Sequence, residues 1–119
     1  MSALASSSLA RFGRCLERAW SNQSSTRWRA DNPALGQCGV TSLVANDAFG
    51  GEILKTRVEG GWHFYNRIDG RRVDFTASQF SDPLDYQDVA SDRSDAFADT
   101  NAQQYDALTA RLRAAQQEG

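Results

Sequence analysis

Cys38, His63 and Asp74 follow one another along the chain as a nucleophile, a proton carrier and a carboxylate that can orient that carrier. Cys38 comes directly after Leu35-Gly36-Gln37 and opens a run with helical spacing, Val40, Leu43, Val44 and Asp47. At a helix N-terminus the unpaired backbone N–H groups and the helix dipole favour thiolate over thiol. The position therefore predicts a Cys38 pKa below the free value of about 8.5, and the same N–H groups can face an oxyanion. Many cysteines at helix starts only pack, so the argument turns on the hairpin downstream. A two-residue turn at Asp69-Gly70 would pair Ile68 with Arg71, Tyr65 with Asp74 and His63 with Thr76. His63 and Asp74 then share a face as diagonal neighbours roughly 7 to 8 Å apart at the backbone, a span their side chains can close. Asp74 would fix the imidazole tautomer and leave the other ring nitrogen free to take the Cys38 proton.

The elements that must hold these groups are legible from periodicity. Leu9, Phe12, Cys15, Leu16, Ala19 and Trp20 mark an amphipathic helix over about 7–20, capped by one of Ser6 to Ser8. This reading is preferred to a transit peptide, whose Ser/Arg-rich, acid-poor composition residues 1–16 share. The polar loop 21–36 carries Trp28, which is expected to pin it to the body. A helix over Cys38 to Phe49 ends at Gly50-Gly51, and strands follow over Ile53 to Val58, Trp62 to Ile68 and Arg72 to Thr76. Alternation puts Trp62, Phe64 and Asn66 on the face opposite His63. The acidic stretch from Ser81 reads as solvated loop, and its Asp82, Asp85, Asp88, Asp92, Asp95 and Asp99 lack the glycine and closing glutamate of a calcium loop. A closing helix runs over about 100–117, so 1–119 is expected to be one α+β domain with the nucleophile helix packed on a small antiparallel sheet.

Composition limits the chemistry. With 13 Lys and Arg against 15 Asp and Glu the formal charge is −2, which offers no basic footprint for nucleic acid. No apolar run approaches the roughly 20 residues of a membrane span, and mean hydropathy is −0.57. Two cysteines and one histidine are too few for a clustered zinc site or a disulfide scaffold, so no metal or other cofactor is expected. Unpaired thiols and the lack of a secretory apolar region point to the cytoplasm.

The order Cys38, His63, Asp74 resembles papain-like and transglutaminase-like cysteine enzymes. The strings Asn32-Pro33-Ala34-Leu35-Gly36-Gln37-Cys38, Phe49-Gly50-Gly51-Glu52-Ile53-Leu54, Trp62-His63-Phe64-Tyr65-Asn66-Arg67 and Val73-Asp74-Phe75-Thr76, with Gln79-Phe80, resemble the YunG-like bacterial proteins. The resemblance spans most of Trp28 to Phe80. It implies a papain-like cysteine enzyme fold and a Cys-His-Asp triad. Papain-like enzymes place a glutamine a few residues before the nucleophile as oxyanion donor; here that loop offers Asn32 and Gln37, while Trp28 and Tyr65 are expected to line the substrate cleft. The expected function is a small cysteine hydrolase or acyltransferase that forms a thioester acyl-enzyme on a small-molecule or peptide-terminal amide or thioester. The alternative is a binding or regulatory module that keeps the frame without turnover. Hydrolysis and amide formation remain open, because they differ only in whether water or an amine reaches the acyl-enzyme, and the residues leave the oligomeric state open too.

Overall fold

The computed structural model describes residues 2–118, with side chains from 8 to 118. Its elements, in chain order, are α1 (Ser2–Ala19), α2 (Cys38–Phe49), β1 (Glu52–Val58), β2 (Gly61–Ile68), β3 (Arg71–Val73), β4 (Val89–Ser91), α3 (Arg93–Ala98) and α4 (Ala102–Glu118). The architecture is α+β, with an antiparallel sheet of order β3-β2-β1-β4. The apolar stripe of α1 buries Phe12, Cys15, Leu16 and Ala19 in one core with Leu108, Leu112 and Ala115 of α4 and with Val40, Val44 and Ala45 of α2. The helix begins at Ser2 instead of being capped at Ser6 to Ser8, because Ala3, Leu4 and Ala5 upstream are strong helix formers.

The other side of α2 meets the sheet. Leu43 joins Ile53 of β1, Phe64 of β2 and Ala96 of α3 in a second core, and Asn66 donates to the Ser42 carbonyl at 3.0 Å. Gly50, with φ of +71°, turns the chain out of α2 as expected. The hairpin has the anticipated register, with Ile68 opposite Arg71 and Asn66 opposite Val73, across a turn in which Asp69 and Gly70 both have positive φ.

Two segments depart from expectation. The third strand stops at Val73 and does not reach Thr76, because the Asp74 carboxylate accepts from the Thr76 N–H and hydroxyl while its carbonyl accepts from the Ala77 N–H. Such local side-chain bonding competes with a strand ladder. A 3-10 turn, Ala77–Gln79, follows. The acidic stretch is ordered as well. It crosses the sheet face that carries His63 and Tyr65, adds β4 to the free edge of β1, and forms α3, which Asp92 caps by accepting from the Asp95 N–H at 2.8 Å.

Asp88 clamps this crossing segment. Its carboxylate accepts from the Arg72 guanidinium at 2.8 and 2.7 Å and from the Tyr65 hydroxyl at 2.8 Å. The Arg72 hydrogen bonds lead in drawing the Asp88 pKa down to about 2, and burial followed by the contact with Asp88 pushes the Tyr65 phenol up to about 12. A carboxylate with a depressed folded-state pKa contributes stability above its unfolded pKa, and the contribution is lost as pH falls through the folded one. Asp88 has φ of +54°, which asparagine tolerates, so Asp88→Asn removes the charge with the backbone kept. The variant should unfold a few degrees below the parent at pH 7, an effect kept small by the exposure of Arg72. The two melting curves should converge as pH falls from about 4 towards 2. A constant difference across that range in a thermal melt series would refute the clamp.

Candidate functional site

β2 has a partner on its β3 side only from Asn66 to Ile68, so its first half is open along that edge. The start of α2 sits there. Cys38 and Phe64, the residue next to His63, share one core cluster, so the nucleophile candidate lies near that part of β2. Cys38 and His63 both line a cleft of about 630 Å³.

His63 is 1% exposed, and its Nε2 lies 2.7 Å from Asp74 Oδ2. That carboxylate is fully engaged. Oδ2 also accepts from the Tyr86 hydroxyl at 2.8 Å, and Oδ1 takes the N–H and hydroxyl of Thr76. An ionised carboxylate only accepts, so Nε2 carries a proton, and in the neutral ring the lone pair is on Nδ1. Nδ1 is buried and has no hydrogen-bond partner among the described residues. The ring is held from both sides, with Phe80 edge-on at 4.8 Å between centroids and Tyr65 stacked at 5.9 Å. The Cys38 to Asp74 distance along the chain thus matters less than the turn after β3, which brings Asp74 and Phe80 onto the same imidazole.

The thiol is in a different state from that expected of a helix N-terminus. Its pKa is pushed up to about 12, first by burial and next by the charge of Asp99. The dipole favours a thiolate, but desolvation and a neighbouring carboxylate outweigh it. No hydrogen bond joins Cys38 to His63 among the described residues; the thiol instead donates to Asp99 Oδ2 at 3.6 Å.

Asp99 is the site residue that the sequence reading missed, having been taken with its neighbours as part of a solvated loop. The same Oδ2 accepts from the Gly39 N–H at 3.2 Å. Desolvation in the cleft raises the Asp99 pKa, against the hydrogen bonds from Cys38 and Gly39. A signal was present: Asp92, Asp95 and Asp99 follow helical steps, and a helix starting at an Asp92 cap puts Asp95 and Asp99 on one face.

The four residues assigned to oxyanion or substrate binding do not line this cleft. Gln37 is wholly buried and directs its amide to the Ser21 carbonyl at 3.4 Å. Asn32 ties its loop to the Gln79 carbonyl at 3.2 Å. Trp28 packs on the α1–α4 core, and Tyr65 is buried beneath Asp88. Gln37, Asn32 and Tyr65 are taken up by hydrogen bonds that hold the loop and the covered sheet face, and Trp28 is taken up by packing. The cleft wall instead includes Arg27, Trp62, Gln79, Phe80 and Asp99, and the Gln79 side-chain nitrogen is buried without a partner among the described residues. Trp62 is only half-buried, under Lys55 and Arg57 at 4.5 and 4.2 Å from its ring. Cys15 is buried in the core, as its stripe predicts. Among the described residues no three His, Cys, Asp or Glu side chains converge as metal ligands, and no helix is long and apolar enough to cross a membrane.

Comparison with known proteins bears on the whole of this frame. No solved structure matches the chain. A protein described as "Uncharacterized protein YunG" from Bacillus subtilis (strain 168) is 53% identical over 93 residues, which cover 78% of this chain and 81% of the relative. The family model described as "YunG protein" matches residues 8–117, from α1 through the Cys38 cleft to α4. The chain belongs to the YunG family.

Proposed function

We propose that this protein is a small cysteine-dependent acyl-transfer enzyme with a papain-like arrangement of Cys38, His63 and Asp74, acting on a small-molecule or peptide-terminal amide or thioester. The observation that carries the reading is the unpartnered, buried Nδ1 of a histidine whose Nε2 is bound to a carboxylate, in the same cleft as a cysteine that opens a helix. Burying a ring nitrogen without a partner costs on the order of 1–3 kcal/mol, an expense that a base awaiting a proton explains.

In the proposed reaction Nδ1 takes the thiol proton as Cys38 Sγ bonds to the carbonyl carbon. The backbone N–H of Cys38 would face the oxyanion, joined by that of Gly39 once Asp99 leaves it, and Gln79 offers a side-chain amide in place of Asn32 or Gln37. The C–X bond then breaks and the leaving group takes the proton from Nδ1. Water, or an amine, attacks the resulting thioester, gives its proton to Nδ1, and Sγ recovers it on release. A cytoplasmic setting suits the two free thiols, Cys15 and Cys38.

A second reading, a binding module without turnover, is favoured by one observation: the resting thiol is protonated and bonded to Asp99 instead of His63. Steady-state release of p-nitrophenolate from p-nitrophenyl acetate, with peptide mapping of the acetyl group, separates the two. The enzyme reading expects transient acetylation of Cys38 and turnover that Cys38→Ala abolishes. A lack of turnover above that of Cys38→Ala refutes it in favour of the binding module.

The same assay orders the other residues. His63→Ala should lower the rate by about 10²- to 10⁴-fold, and Asp74→Asn should leave residual activity because the amide can present the wrong tautomer. The double variant should be no slower than His63→Ala alone, since Asp74 then has no ring to orient. Additive losses in activation free energy would show that Asp74 acts independently of His63. Cys15→Ala should keep the activity and lower the stability by about 1 kcal/mol through a small cavity; an inactive, folded Cys15→Ala variant would reverse the assignment of the two thiols.

A further inference from the structure

The contact between Asp99 and the start of α2 is built by several parts of the chain. α3 runs alongside α2 in the opposite direction. At one end the Arg93 guanidinium bonds the Leu43 carbonyl at 3.3 Å and Asn46 Oδ1 at 2.9 Å and pairs with Asp47 at 3.0 Å. In the middle Ala96 is wholly buried in the core that contains Cys38 and Leu43. At the other end Asp99, the C-cap of α3, reaches Cys38 and Gly39. Gly39 is shaped to receive it. A Cβ at position 39 would stand 2.4 Å from Asp99 Oδ2 and 2.8 Å from Asp99 Cβ, so the carboxylate can dock only where residue 39 has no side chain.

One oxygen of Asp99 thus occupies two things that an attacking cysteine needs. It accepts the thiol hydrogen that His63 would have to take, and it fills the N–H of Gly39, which is where negative charge developing on a substrate oxygen would be met. Meanwhile His63 Nδ1, buried and lining the same cleft, is without a partner. Around Asp99 stand the Arg27 guanidinium and the His63 ring, and the Arg27 charge favours its ionised form against the desolvation of the cleft. Arg27 is an exposed residue of the cleft wall with no carboxylate in salt-bridge range among the described residues, so its charge is available to an Asp99 side chain that leaves Gly39.

We propose that Asp99 is an autoinhibitory latch: its carboxylate is the resident occupant of the oxyanion position at the Gly39 N–H, and it holds Cys38 out of reaction until it is displaced. The inference rests on the acyl-transfer reading for the meaning of that position, but its test does not. Displacement needs only rotation of the Asp99 side chain, since α3 is fixed by Arg93 and Ala96. A substrate carbonyl oxygen that enters at the Gly39 N–H takes the place of Oδ2, removes the carboxylate from the thiol and frees the thiol hydrogen for His63.

The test is site-resolved alkylation by iodoacetamide, in which Sγ forms a bond to the methylene carbon, iodide leaves and the thiol proton goes to solvent. Cys38 in the parent protein should react more slowly at pH 7.5 than free cysteine. Asp99→Asn keeps the shape and removes the charge; Gly39→Ala evicts the carboxylate with Asp99 itself unchanged. Both should raise the Cys38 rate at least tenfold and shift the rate's pH midpoint downward. Buried Cys15 is the internal gauge of unfolding and should stay unlabelled in all three proteins. Unchanged Cys38 rates and midpoints in the two variants would overturn the latch, and so would parallel labelling of Cys15, which would show that the contact holds the fold and not the thiol. Faster alkylation of Cys38 without any acetyl turnover would keep the latch and sink the acyl-transfer reading, so the two failures are distinguishable.

Discussion

The first two turns of α2 are shut off from water: every residue from Cys38 to Ala45 is buried. A helix that is apolar on one stripe can rest against one neighbour, but a helix buried all round must be surrounded. That requirement places α1 and α4 on one side of α2 and the sheet with α3 on the other, and it explains why two separate cores share the one helix. It also explains the state of the thiol. A cysteine that begins such a helix begins it in a desolvated place, so the favourable dipole is outweighed and the thiol keeps its proton.

The opposite face of the sheet is governed by polar satisfaction. His63, Tyr65 and Thr56 point away from α2, and a sheet face carrying such groups must be covered by partners that bond them. Segment 74–88 does this with Asp74 and Phe80 on His63, Asp88 on Tyr65, and the Asp85 carbonyl and Gln87 N–H on Thr56. Within this covered face the imidazole is the exception. Its Nε2 is bound to a carboxylate that has four donors, while its Nδ1 is left open. A purely structural histidine would gain by satisfying both nitrogens.

The two faces meet where β3 ends. Had the strand continued to Thr76, it would have covered the edge of β2 beside His63 and Phe64, two residues that share the cleft with Cys38. The local hydrogen bonds that Asp74 makes to Thr76 therefore have two effects at once. They end the ladder, and they fix the carboxylate that orients His63.

The sequence by itself determined α2 and its glycine stop, the strands on either side of the Asp69-Gly70 turn, and from that register the meeting of His63 with Asp74. It also put Cys15 on the buried stripe of α1. These follow from periodicity and turn geometry, which act over a few residues and are written in residue type. Only the tertiary structure decided that Asp99, 61 positions beyond Cys38, takes the thiol, that Gln37 and Tyr65 turn inward, and that the acidic stretch passes into a strand and a helix from Val89 onward. An aspartate reads the same in sequence whether it is solvated or docked on a backbone N–H. The difference lies in the desolvation and partners it meets after folding, and these are set by long-range packing that short-range pattern does not encode.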